Sequence, residues 1–275
     1  MLIPNSLRQE DMPQMVYAIL KQISNGKYTK DDVKKRVTAS IKTNIGEKSQ
    51  QQFSRLLSFL FDAEMIYEKG DVLYTYFDEE ELQTINDFSY SLLGKMQIDK
   101  NNKFDMMLKW YLSTDVFNES NFTSSAEKIA HSMMECSYLK AGVWGKISQN
   151  DVHGFLFWVE MFKIAYFEER RSGHVYFGIE NIMMEYIKRH PELREKGDMS
   201  TEEFLNALSQ DLYFIPMCYE EGTHNIMHAL SLGIRVLENA EIIELNYRDD
   251  SDQRWHLTNS TVFTSGNTFT NVRIK

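Results

Sequence analysis

The stretch Gln50–Tyr76, QQQFSRLLSFLFDAEMIYEKGDVLYTY, decides how the rest of the chain is read. Phe53, Leu56, Leu57 and Leu60 recur at the three-and-four spacing of a single buried helical stripe. The opposite face carries Gln51, Gln52, Ser54 and Arg55, side chains that hydrogen-bond base edges and phosphates. Met65-Ile66-Tyr67 and Val72-Leu73-Tyr74 flank Lys69-Gly70-Asp71, which predicts a tight hairpin. A helix followed by such a hairpin is the second half of a winged helix-turn-helix.

Upstream, Met12, Met15, Val16, Ile19, Leu20 and Ile23 predict a helix that stops near Gly26. Thr29, with Asp32 three residues on, has the spacing of a capping box. It opens a helix with Val33, Val37 and Ile41 inward and Lys30, Lys34, Lys35 and Lys42 outward. Three helices and a hairpin in this order predict a complete winged helix over 1–80.

Downstream, residues 81–147 read as a helical connector, with stripes such as Leu82, Ile85, Phe88 and Leu92. Residues 148–198 read as a helix-hairpin-helix module. Its hairpin pairs Ile164–Phe167 with His174–Phe177, and Arg170 and Arg171 at the tip form a possible second phosphate contact or a solvated turn beside Glu168 and Glu169. Residues 199–275 predict a C-terminal winged-helix-like domain. A helix capped at Ser200 is followed by a helix from about His224 to Asn239 and a hairpin pairing Ile242–Tyr247 with Arg254–Leu257. The tail from Thr261 to Lys275 adds an edge hairpin. The expected fold class is mainly α with small β-hairpins (α+β), as tandem winged-helix modules joined by a helical middle region.

Charge divides the chain unevenly. Its net charge of −10 argues against coating nucleic acid along the whole length. Between Lys21 and Arg55, however, nine basic residues face three acids, whereas from Ser200 to Lys275 five basic residues face eleven acids. Double-stranded DNA is therefore expected at the N-terminal module, through Lys30, Lys34, Lys35, Lys42, Lys48, Gln51, Gln52, Ser54 and Arg55. The acidic end, with Asp249, Asp250 and Asp252 at a hairpin tip, is expected to meet protein partners instead. Cys136 and Cys218 match no paired-ligand spacing, which fits a reducing cytoplasm. No apolar run approaches the ~20 residues of a membrane span.

Signals for chemistry are sparse. No glycine-rich phosphate loop, G-x-S-x-G elbow or paired-cysteine zinc spacing occurs. His224 and His228, with Cys218, Glu220 and Glu221 upstream, are the best metal candidate. They lack the glutamate that would act as a hydrolytic base beside the first histidine. No catalytic residue, metal or cofactor is expected.

The order of elements, with FIPMCYEEG and ALSLGIRVLENAEIIEL between Phe214 and Leu245 and weaker echoes in MLIPNSL and AEMIYEKG, resembles the DpdG-type proteins. These are encoded beside bacterial 7-deazapurine DNA-modification and phage-defence genes. Tyr219-Glu220-Glu221-Gly222 stands where that family tends to show an aspartate and two glycines. The resemblance implies a non-enzymatic accessory subunit of a defence or DNA-modification system. The alternative reading is a pure protein–protein assembly adaptor that binds no DNA.

Overall fold

A computed structural model of the chain describes residue 3 and residues 13–40, 47–96, 102–113, 126–135, 146–167, 175–212, 215, 224–249, 253–258 and 266–275. At 38–40, 47–50, 166–167 and 175–177 it describes the backbone alone. The described chain is mainly α-helical, with antiparallel sheets of two or three strands. It divides into two compact units, Met1–Met106 with Ser137–Phe162, and Met107–Cys136 with Lys163–Lys275.

The first unit begins α1 (Pro13–Ser24), β1 (Tyr28–Thr29), α2 (Lys30–Ser40), α3 (Glu47–Asp62), β2 (Ile66–Lys69) and β3 (Val72–Thr75). The strands form one sheet in the order β1-β3-β2, so the first short strand pairs with the last. The apolar stripes read from the sequence are the core: Val16, Ile19 and Leu20 of α1, Val33 and Val37 of α2, and Phe53, Leu56, Leu57 and Leu60 of α3 are all buried. Thr29 and Asp32 bond reciprocally, each side chain accepting from the other's backbone N–H, and start α2 as the capping box requires. Beyond the hairpin, a 3-10 turn at Glu80–Leu82 receives the Tyr17 hydroxyl of α1 on the carbonyls of Leu82 and Gln83. α4 (Ile85–Lys95) follows, capped at Thr84.

The first residues of α5 (Lys103–Ser113) and the whole of α7 (Gln149–Met161), which is preceded in the chain by α6 (Ala126–Glu135), complete this unit with an aromatic cluster. Phe104 packs on Phe155 and Phe162, and Trp158 stacks on Phe59. Lys103 forms a buried ion pair with Asp151 at 3.1 Å. Asp151 also closes the capping box of α7 with Ser148, so one carboxylate anchors both helices.

The second unit contains β4 (Ala165–Phe167), β5 (Val175–Phe177), α8 (Glu180–Arg189), α9 (Glu192–Glu195), β6 (Asp198–Ser200), α10 (Thr201–Asp211), α11 (His228–Asn239), β7 (Ile243–Asn246), β8 (Trp255–His256), β9 (Thr268–Phe269) and β10 (Asn271–Ile274). Its main sheet has the order β6-β10-β7. Helix α8 packs on α11. Gly233 permits the approach: a Cβ there would lie 2.8 Å from Met183 Sδ and 2.9 Å from Ile179 Cγ1. Apart from the one-turn α9 and the separate β8–β9 pair, the order from α8 onward is helix, strand, helix, helix, strand, strand, with the first strand bonded to the last. That is the topology of the first unit's opening module.

One local device recurs at three places. Among the described residues the only non-glycine positions with positive φ are Glu64, Lys163 and Glu241, at +54°, +57° and +57°. Each lies between the end of a helix and the first strand of an antiparallel pair. After α3 and α11 the bonding is a Schellman cap: Met65 N–H donates to Leu60 O, and Ile242 N–H to Leu237 O, both at 2.9 Å. The next carbonyl then closes each pair, accepting from Tyr76 N–H at Met65, from Gly178 N–H at Ile164 and from Lys275 N–H at Ile242. The helix-to-strand joint is thus the repeated unit of this chain.

Three expectations for the C-terminal region are corrected. Ile242–Tyr247 does not pair with Arg254–Leu257; β7 pairs with β10, placing Val272 opposite Leu245. The tail supplies the central strand rather than an edge hairpin, because Val272 and Ile274 are buried while Asn271 and Arg273 alternate outward. Helix α11 begins at His228, not His224. His256 N–H donates to His224 O and Ile226 N–H donates to His256 O, and this ladder holds 224–226 extended.

Candidate nucleic-acid interface

In the N-terminal module the core stripe of α3 fixes which side chains turn outward. Gln51, Ser54 and Ser58 are exposed, and Gln52 and Arg55 are partly so. This gives a polar face with one guanidinium, rich in groups that hydrogen-bond bases and phosphates. On α2, Lys35 and Arg36 are exposed and Lys34 is half-buried. Arg36 lies over the Tyr28 ring at 4.3 Å, a cation–π contact that orients it. Thr29 holds the Asp32 carboxyl below its ordinary range through side-chain and backbone hydrogen bonds, so α2 opens with a fixed negative charge.

Lys30 stands apart from this face. Its ammonium pairs with Glu68 of β2 at 2.8 Å and lies 5.5 Å from the Phe61 ring, which directs it to the hairpin. The pair is exposed and contributes little stability, on the order of 0–1 kcal/mol. Lys48 belongs to the first turn of α3, where the backbone alone is described. Lys42, Arg170 and Arg171 lie outside the described residues.

The corresponding face of α11 is built differently. Registering the two helices on Glu64 and Glu241 places Ser231 at the position of Ser54 and Arg235 at that of Ser58. Both are 2% exposed. The segment between β7 and β10 covers them: Thr258 N–H donates to Ser231 Oγ at 3.0 Å, and Arg235 donates to Thr258 O and to Asn267 Oδ1. Leu257 N–H donates to Asn267 O and ties the two sides of the cover together. In the sheet beneath, Arg248 and Arg273 both bond Asp198, at 2.8 and 2.9 Å. The Arg248 hydrogen bond, backed by the charges of both arginines, holds that carboxyl below its usual range despite some desolvation.

The histidine pair does not assemble into a site. His224 lies outside α11 with its ring against Trp255, 4.9 Å between centroids, whereas His228 is the first residue of the helix. Cys218, Glu220 and Glu221 lie outside the described residues. Among the described residues no group of three or more His, Cys, Asp or Glu has the arrangement to hold a metal ion. Among them also, no helix is long and apolar enough to cross a membrane.

What the sequence reading missed is the covered face of α11 and the repeat that exposes the contrast. A signal was present: Ala63-Glu64-Met65-Ile66 and Ala240-Glu241-Ile242-Ile243 share their first, second and fourth residues. No protein family, curated protein or solved structure matches the chain.

Proposed function

We propose that the N-terminal module is a winged helix that binds duplex DNA helix first, and that the chain is a cytoplasmic, non-catalytic accessory subunit working with protein partners. Gln51, Gln52, Ser54 and Arg55 lie toward base edges, and Lys34, Lys35 and Lys48 engage phosphates. The observation that carries this reading is the contrast between equivalent helices: the outward face of α3 is exposed and polar, and that of α11 is sealed by its own chain. The topology β1-β3-β2 around three helices supports the winged-helix assignment, and the charge of Lys21–Arg55 supports the ligand. The hairpin contributes little to DNA, since Glu64, Glu68 and Asp71 surround it. The likeness to DpdG-type proteins supports placing the subunit in a defence or DNA-modification system.

The test is retention of a duplex measured against salt. Contact with about four to six phosphates predicts a log–log slope of roughly −4 to −5. Changing Lys34, Lys35, Lys48 and Arg55 together to Glu is expected to abolish retention while the melting temperature is preserved. Absence of wild-type retention even at low salt overturns the reading and leaves the adaptor.

A further inference from the structure

The β2–β3 hairpin presents an outward face that duplex binding does not use. Tyr67 and Tyr74 are direct cross-strand partners, and Tyr76 follows on the same side of the pleat. Their rings form one cluster: Tyr67 stacks on Tyr74 with centroids 5.3 Å apart and meets Tyr76 at 4.8 Å. Tyr67 is 38% and Tyr76 52% exposed, two of the three exposed large hydrophobic residues among those described. Rings held against one another lose little further freedom on binding, which is what makes tyrosine an effective interface anchor.

The charge around this cluster selects its partner. From Asp62 to Glu81 the chain carries eight carboxylates and a single base, Lys69; Lys30 pairs with Glu68 and Lys95 with Glu81, which leaves the surroundings of the rings acidic on balance. Glu64, Asp71, Asp78, Glu79 and Glu80 are exposed. Phosphate is repelled here, whereas a cation is drawn both to the carboxylates and to the negative faces of the rings. Elsewhere the chain places its own cations on tyrosine rings, Arg36 over Tyr28 at 4.3 Å and Arg254 over Tyr247 at 5.5 Å. Among the described residues no cation lies over Tyr67, Tyr74 or Tyr76.

We propose that this tyrosine face docks a basic segment of a partner protein, with arginine or lysine side chains over the Tyr67, Tyr74 and Tyr76 rings and apolar residues between them. The site is separate from α3, so its fate does not follow that of the DNA reading. The probe is a fluorescein-labelled peptide of alternating arginine and leucine, titrated with the full chain and read by anisotropy; a glutamate–leucine peptide is the control. The basic peptide is expected to bind and the acidic one not. Tyr67→Ser with Tyr76→Ser should weaken the basic peptide at least tenfold, and Tyr67→Phe with Tyr76→Phe should remain within twofold, because phenylalanine keeps the ring face. Neither pair changes net charge, so general attraction to an acidic chain is equal in all three proteins. The positions are exposed, and matched melting temperatures confirm folding. Equal peptide binding by the serine variant, or none by wild type, overturns the proposal. So does displacement of the peptide by single-stranded oligothymidylate, which assigns the face to nucleic acid. Self-association lost in the serine variant also overturns it and assigns the face to a second copy.

Discussion

The modules at the two ends of this chain share a topology and a helix-to-strand joint, yet present opposite surfaces. In the first, β2 and β3 are joined by a short turn at Gly70, whose φ is +63°. In the last, the corresponding strands β7 and β10 are separated by a long segment that turns back onto α11. The difference teaches that a shared topology does not by itself decide which helix face stays exposed. A face is lost where the chain folds back over it, as at α11. Ser231 and Arg235 bond Thr258 and Asn267 and are buried, whereas Ser54 and Ser58 are exposed.

The contrast breaks most sharply at Leu56 and Gly233, which occupy one position of the repeat. Leu56→Ala removes a fully buried side chain of the first core and is expected to cost about 2–5 kcal/mol. Its reciprocal, Gly233→Leu, installs the N-terminal module's residue where Met183 and Ile179 already stand, with an expected cost of about 1–3 kcal/mol. Denaturant unfolding monitored in each unit measures both. A Gly233→Leu protein as stable as wild type would show that α8 does not need this close approach.

Next in size is the cover itself. Asn267→Ala removes an acceptor from buried Arg235 and is expected to cost about 1–3 kcal/mol. Limited proteolysis should find the segment between β7 and β10 cut faster in the variant, with the N-terminal module unaffected.

The second unit also carries a pH signature of its own. His190 follows α8, its Nδ1 2.8 Å from Glu192 and its Nε2 2.9 Å from Asp211, an arrangement in which both nitrogens donate when the ring is charged. Burial alone would lower its pKa, but the hydrogen bonds and charges of these carboxylates outweigh it and the net shift is upward. The same contact, after Glu192's own backbone N–H, lowers the Glu192 carboxyl. Tyr186, whose ring lies 4.4 Å from His190, is pushed up to about 12 by desolvation and by the same two acids. A raised histidine contributes fully below its unfolded value of 6.5 and loses that contribution as pH rises through the folded value. The lowered glutamate contributes above 4.5 and loses it as pH falls through its own folded value. Unit-two stability should therefore peak in mild acid and decline as pH rises above 6.5 and through the raised folded value of His190. His190→Gln should flatten that decline; an unchanged slope would show that the cluster is not its source.

The smallest effect lies at the shared joint. A non-glycine residue in the left-handed region costs roughly 1–2 kcal/mol, partly returned in the unfolded chain. Glu64→Gly and Glu241→Gly are each expected to stabilise by about 0.5–1 kcal/mol. Equal gains would confirm that the joints are equivalent; a loss at one would mark a contact of its glutamate that the other lacks.

By itself the sequence determined the helices, their buried stripes and the capping boxes at Thr29, Ser148 and Ser200, because helix periodicity and capping depend on residues three or four apart. It also gave α2 its basic residues and α3 its polar outward face, because each follows from local spacing. Tertiary structure decided the pairing of strands. Arg254–Leu257 and Asn271–Ile274 alternate alike, so the pattern could not tell which would join Ile243–Asn246; the choice rests on Val272 and Ile274 filling a core made by helices far away in the chain. It decided the fate of His224 in the same way, through a strand bond to His256 that outcompetes one more turn of helix. And it decided which module keeps an open face, since burial of Ser231 and Arg235 depends on a return of the chain that no window of neighbouring residues contains.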